Sequence, residues 1–210
     1  MRSKKEGSQL SRKALRLGFQ QMPLVTVSQH PARLRDVLTP HPRVLFVGIN
    51  PSLRSQQVGH HFAGPGNPFW RLLHVAGIIH EPLTYEDDGK LVDYGLALTN
   101  LCPRATRAAS ELEHDEIQRG QRTVLRKIAR LQPAVVAFVG ASIYRYFRPD
   151  RASGGVGPKP ERIYGARVFV LPNPSGLNAN FPGFKDKLVW FEKLREFAEL
   201  GSERKPGQGA

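Results

Sequence analysis

The 210-residue chain holds a single cysteine, Cys102, which excludes an intramolecular disulfide and a four-cysteine iron–sulfur cluster within one chain. It has no run of about 20 apolar residues and no signal-like apolar segment, so the expectation is a cytoplasmic protein with no membrane partner. Neither a His-x-x-x-His nor a His-Glu-x-x-His spacing occurs, so neither a metal nor any other cofactor is expected. The glycine-rich stretch Ser153–Pro160 lacks the Gly-Lys-Ser/Thr ending of a P-loop. No internal repeat is present.

Acidic residues are also scarce. Asp and Glu number 18 against 31 Lys and Arg, a net charge of +13. The first 20 residues carry +5 and the last ten +1, which leaves +7 on the body. An excess of this kind points to a polyanionic partner, nucleic acid before an acidic membrane surface; a merely solvated basic surface is the alternative. Residues 1–22 read as a basic flexible arm, residues 23–200 as one domain and residues 201–210 as a flexible tail.

What is present reads as strands alternating with helices. Val44-Leu45-Phe46-Val47-Gly48 is apolar without interruption, as in a strand buried on both faces of a parallel sheet. Tyr94–Thr99, Ala134–Val139 and Val168–Leu171 read as three further strands. Helices are expected over Pro31–Leu38, after Asn67-Pro68, from a Ser110–Glu113 capping box to Leu131, over Ala141–Phe147, and over Lys185–Leu200. Glu81–Lys90 and Ser153–Pro160 read as irregular. The fold class is therefore α/β, with a short, mainly parallel four-stranded sheet covered on both sides, a three-layer α/β/α sandwich. Two Asn-Pro-Ser tripeptides, at 50–52 and 173–175, then fall at strand C-termini, the edge where open α/β sheets bind ligands.

Gly48-Ile49-Asn50-Pro51-Ser52, Gly59-His60-His61-Phe62-Ala63-Gly64-Pro65-Gly66-Asn67-Pro68-Phe69-Trp70 and Asn173-Pro174-Ser175-Gly176-Leu177 together resemble the mismatch-specific uracil-DNA glycosylases, the family that includes thymine-DNA glycosylase. Tyr94–Asn100 and the strand tip at Gly140 also fit, so the resemblance runs from about Arg43 to Leu200. It implies a uracil-DNA glycosylase-like fold, base excision repair in association with the nucleoid, and a monomer acting on double-stranded DNA that contains uracil or a mismatched base. The activity implied is that of a monofunctional glycosylase, which hydrolyses the glycosidic bond without cutting the strand. A non-catalytic module of the same fold that binds damaged DNA or a nucleotide is the alternative.

Extracting a base from a duplex requires a wedge, a stacking wall, an edge reader and help at the bond. Asn50 is the candidate catalytic residue, its amide orienting a water for attack on C1′; an Asx-turn residue before Pro51 is the plainer reading. Phe62 is the candidate wall, with ordinary packing as its alternative. Main-chain groups near Ile49 and Phe62 would meet the uracil edge, and Ser55 matches the family position near the C5 edge, where it would crowd a methyl group. His61 and Asn173 complete the candidate substrate set. Leu177 is the candidate wedge, flanked by Ser175 and Gly176, with Arg54, Arg104 and the Gly154–Lys159 loop as candidate phosphate contacts. Asp93 is the acid nearest a core strand and a candidate base or charge stabiliser, although it precedes that strand; a turn aspartate is the alternative. Two residues depart from the family pattern: Ser52 stands where a glycine is usual, and Ala179 where relatives often carry arginine.

Overall fold

Val44–Gly48 forms the first strand, β1, and every one of its residues is buried. Its side chains alternate between two cores, Val44 and Phe46 entering one and Leu45 and Val47 the other, as a strand covered on both faces must. The computed structural model describes residues 33–148, 155–175 and 180–200. The remaining strands are β2 (Leu96–Asn100), β3 (Val135–Val139), β4 (Gly157–Ile163) and β5 (Ala166–Leu171). They form one sheet in the order β2-β1-β3-β5-β4. β1 pairs in parallel with β2 and β3, and β3 with β5, whereas β4 runs antiparallel to β5.

The helices are α1 (Leu53–Val58), α2 (Phe69–Val75), α3 (His114–Leu131), α4 (Ala141–Phe147) and α5 (Phe184–Phe197), with a 3-10 helix over Tyr85–Tyr94. α2 and α5 supply Phe69, Leu72, Leu73, Phe191 and Leu194 to the core that holds Phe46. α3 and α4 supply Val124, Ile128, Ile143 and Tyr144 to the core that holds Leu45. The chain leaves β1 toward one face and leaves β2 and β3 toward the other. The sheet thus has a switch point at its centre, where a crevice opens beyond the strand ends.

Four expectations need correction. The sheet has five strands rather than four. The fifth, β4, lies where a flexible loop is expected: Pro158 and Pro160 suggest a loop, but an edge strand tolerates proline because one side of its backbone needs no partner. Arg33–Leu38 is not helical; Val37 exchanges backbone hydrogen bonds with Leu98 of β2 (3.0 and 2.7 Å). Ser110–Glu113 does not open α3. Glu113 is the N-cap, and its N–H donates to Glu116 Oε2 at 2.9 Å, because Glu116 is already fixed by Arg104. The expected arm, the tail, Gly176 and Leu177 lie outside the described residues.

α3 approaches the sheet edge closely at Gly120. A Cβ there would lie 2.1 Å from the Leu101 carbonyl oxygen, a backbone atom that cannot swing aside. Gly120→Ala therefore forces α3 away from the segment after β2, and urea unfolding is expected to show a loss of about 1–3 kcal/mol; unchanged stability would refute this close packing.

Candidate functional site

Beyond the C-terminal ends of the parallel strands lies a cavity of about 390 Å³, within the range of small-ligand sites. Every parallel strand contributes to it: Gly48 and the Ile49–Ser52 turn after β1, Asn100 at the end of β2, Val139 at the end of β3, and Asn173 and Ser175 after β5. Ser55, His61 and Phe62 line it from the segment between β1 and α2, and Thr106 and Arg107 from the loop after β2. The two Asn-Pro-Ser turns do share one crevice.

The Asn50 amide is held in one orientation. Its Nδ2 donates to the Arg104 carbonyl at 2.9 Å and to Thr106 Oγ1 at 2.7 Å. A carbonyl can only accept. The Thr106 hydroxyl donates its own hydrogen to the Ala108 carbonyl at 2.8 Å, so it too meets Asn50 as an acceptor. A flipped amide would set oxygen against oxygen at both contacts. Both hydrogens are thereby committed, and Oδ1 is the part of the amide left for a ligand. The Arg104 carbonyl is itself steadied from the side-chain end, since the guanidinium donates to Glu116 at 2.8 and 2.7 Å and to the Glu111 carbonyl at 2.7 Å.

Phe62 stacks on Phe69 with centroids 3.8 Å apart and planes 19° from parallel. Its backbone sits at φ 53°, a left-handed conformation that costs a non-glycine residue about 1 kcal/mol or more. The neighbouring loop enforces it: Asp88 accepts from the His61 N–H at 3.0 Å and bonds His60 Nδ1 at 3.1 Å, while Trp70 Nε1 donates to the His61 carbonyl at 3.2 Å. Ser55 Oγ accepts from the Ala63 N–H at 3.1 Å, which ties the same loop to α1. Ser52, at the position that departs from the family pattern, caps α1 by accepting from the Ser55 N–H at 3.1 Å.

Gly48 has a specific reason to lack a side chain. A Cβ there would lie 2.5 Å from Asn100 Oδ1 and 3.7 Å from Phe62 Cζ. The Asn100 amide thus crosses the end of β1 beside the Phe62 ring, on the cavity wall. His61 is 2% exposed, and its Nε2 donates to the Arg35 carbonyl at 3.0 Å. Burial lowers its pKa against the opposing pull of that carbonyl, so at neutral pH it is an uncharged imidazole.

The other candidates fall elsewhere. Arg54 is exposed on α1. Arg104 is tied to Glu116 rather than open to a phosphate; Arg107, exposed on the cavity rim, has the geometry expected of Arg104. Asp93 is exposed within the 3-10 helix that precedes β2. It is separated from the cavity by the whole of that strand, about 16 Å, and is absent from the cavity lining. Asn100, Thr106 and Arg107 were not foreseen. Asn100 had a signal, a polar residue ending an apolar strand just as Asn50 follows one. Thr106 and Arg107 had none, because only the folded loop brings them to Asn50 and the rim. Among the described residues no cluster of His, Cys, Asp and Glu is arranged to hold a metal ion.

Known proteins agree with this architecture. The family model of the Uracil DNA glycosylase superfamily matches residues 35–195. The solution NMR structure of a protein from Methanosarcina acetivorans, described as a candidate uracil DNA glycosylase, superposes with a TM-score of 0.55 at 22% identity, over 79% of this chain and 98% of that one.

Two groups near the cavity make stability depend on pH. His61 titrates below its ordinary 6.5 because it is buried. The unfolded chain then takes up a proton that the folded one refuses, and stability falls as pH drops below about 6.5. Glu116 is held down from 4.5 to about 2 by Arg104 and by the Glu113 N–H. Its contribution is complete above 4.5 and is lost as pH falls toward 2. Urea titrations should give level stability from pH 8 to 7 and two successive declines below, the lower one reduced in Glu116→Gln. A level profile down to pH 5 would contradict the His61 assignment.

Proposed function

The chain belongs to the uracil DNA glycosylase superfamily, and from that premise we propose that it is a monofunctional DNA glycosylase of the mismatch-specific branch. Its substrate is uracil flipped out of duplex DNA, with the G:U mispair as the natural target. The observation that carries this reading is the Asn50 amide, fixed by Arg104 and Thr106 with its oxygen left for a ligand in a cavity walled by Phe62.

The chemistry follows from the residues. The extruded base stacks on Phe62, whose ring is backed by Phe69 and cannot retreat. Asn50 Oδ1 accepts a hydrogen from one water and turns the oxygen lone pair toward C1′. The C1′–oxygen bond forms, the N-glycosidic bond breaks, and its electron pair leaves with the base. An amide cannot take the water's proton, which passes to solvent. The gain therefore comes from positioning and from stabilising the departing base anion through the main-chain N–H groups of Ile49 and Phe62. Asn100, with no side-chain hydrogen bond among the described residues, offers a donor and an acceptor to the base edge. Ser55 marks the C5 side, where a methyl would crowd, so uracil is favoured over thymine. Arg107 and Arg54 take the flanking phosphates, and Ser175, Gly176 and Leu177 the gap left in the stack. Asp93 has no part in this scheme.

A panel of end-labelled duplexes, each with one altered base, tests the proposal after treatment with protein and hot alkali. Cleavage at uracil opposite guanine, and none before alkali, is expected; no cleavage at any base overturns the reading. Asn50→Ala should lower the single-turnover rate by about 10²–10³-fold, the scale of losing one positioned polar group, with duplex binding kept. Wild-type and Asn50→Ala proteins that both bind and never cut would favour the binding-module alternative. Thr106→Val removes the acceptor but keeps the shape, so kcat should fall about tenfold at unchanged KM. Thr106→Ser should restore it, which a purely packing role for Thr106 would not predict.

A further inference from the structure

The outer face of α3 carries Arg119, Arg122, Arg126 and Arg130, at spacings of three, four and four residues, which lines them up on one side of the helix. All four are exposed, while Gly120, Val124, Ile128 and Leu131 on the opposite side are buried. Among the described residues none of the four forms a salt bridge. Arg126 donates to Thr123 Oγ1 at 3.2 Å. Asp115, at the head of the same face, bridges none of them, and Glu116 is committed to Arg104. Lys127 turns inward instead, to Asp36 and Thr99.

A solvated helix face ordinarily mixes the two signs, as α5 does with Lys185, Asp186, Glu192, Lys193, Arg195 and Glu196. Like charges four residues apart, as in Arg122–Arg126 and Arg126–Arg130, repel by a few tenths of a kcal/mol each. The stripe is thus mildly unfavourable in the free protein, and a polyanion lying along it would relieve that repulsion. Arginine rather than lysine also suits phosphate, which it can meet with two parallel donors.

The stripe starts beside the cavity. Arg119 is close enough to Glu116 to help hold its pKa down, and Glu116 grips Arg104, whose carbonyl anchors Asn50. From there α3 runs back toward the start of β3. The track from Arg119 to Arg130 is about 16 Å long, the reach of about five phosphates of one strand.

We propose that this arginine stripe is a second, sequence-independent duplex-binding surface, separate from the cavity mouth, which holds undamaged DNA by its phosphates along the flank of the protein. It rests on the reading of the chain as a DNA-acting protein, but not on uracil as the substrate.

The test compares wild type with the triple variant Arg122→Gln, Arg126→Gln, Arg130→Gln. Binding of an undamaged duplex of about 30 bp is followed by anisotropy across a salt series; with about 0.9 per lost phosphate contact, the slope of log K against log salt should fall by about 2.7. The affinity at fixed low salt should fall ~10–100-fold, and the Arg→Lys triple variant should keep most of the slope. Excision from a saturating duplex of about 12 bp should be unchanged, because saturation fills the cavity mouth whether or not the flank takes part. A triple variant whose slope equals that of a uracil-excising wild type overturns the stripe alone, as it would if the face were merely solvated or met an acidic protein. Loss of short-duplex excision at saturation overturns its separateness from the cavity. A wild type that binds undamaged duplex through the stripe but excises nothing leaves this surface standing and overturns the glycosylase reading instead.

Discussion

Two hydrogen bonds settle the chemistry available to the cavity, because they decide which end of the Asn50 amide a ligand meets. Arg104 contributes a backbone carbonyl and Thr106 a hydroxyl whose hydrogen already belongs to Ala108. Neither can donate, so the amide nitrogen has to face them. An asparagine free to rotate would present donor and acceptor in turn and would orient water only part of the time. Glu116 extends the constraint outward by gripping the Arg104 guanidinium at 2.7–2.8 Å. A charged pair on the surface thereby serves a neutral amide in the cavity.

The sheet makes that arrangement possible. Parallel pairing brings Gly48 level with Asn100 and Val139 level with Leu171, so four strand ends open into the same crevice. Position 48 has to be glycine for Asn100 to lie across it. On the other wall, Phe69 beneath Phe62 and Asp88 behind the histidine pair keep an aromatic ring at the cavity in a backbone conformation it would not adopt alone. The rigidity of both walls is what the proposed catalysis by positioning requires, since an amide that cannot take a proton has little else to offer.

How much of this was legible follows from how local each signal is. β1 was readable because five consecutive apolar residues allow little else, and α4 because a strand, a glycine and an apolar turn succeed each other directly. The meeting of Asn50 and Asn173 in one cavity followed from strand alternation alone, since parallel strands end on the same side. β4 was not readable: its two prolines speak for a loop, and only its place at the sheet edge makes them harmless. The Arg33–Leu38 segment has a helix-like start, but its pairing with Leu98 is a contact across some 60 residues that no local pattern records. The same holds within the site. Arg104 invites a phosphate in the sequence because Glu116, twelve residues on, gives no sign of claiming it; Arg107 becomes a rim residue only once its loop has closed over Asn50.

The central claim is that Asn50 faces the sugar of an extruded base with its oxygen. The most direct measurement is a crystal structure of the protein with a duplex carrying a 2′-fluoro-deoxyuridine opposite guanine, whose glycosidic bond resists hydrolysis. The account predicts uracil lying on Phe62, with Asn50 Nδ2 still bound to Arg104 and Thr106 and one water between Oδ1 and C1′. A uracil left stacked in the duplex, or an Asn50 amide turned with its nitrogen toward the sugar, would contradict it.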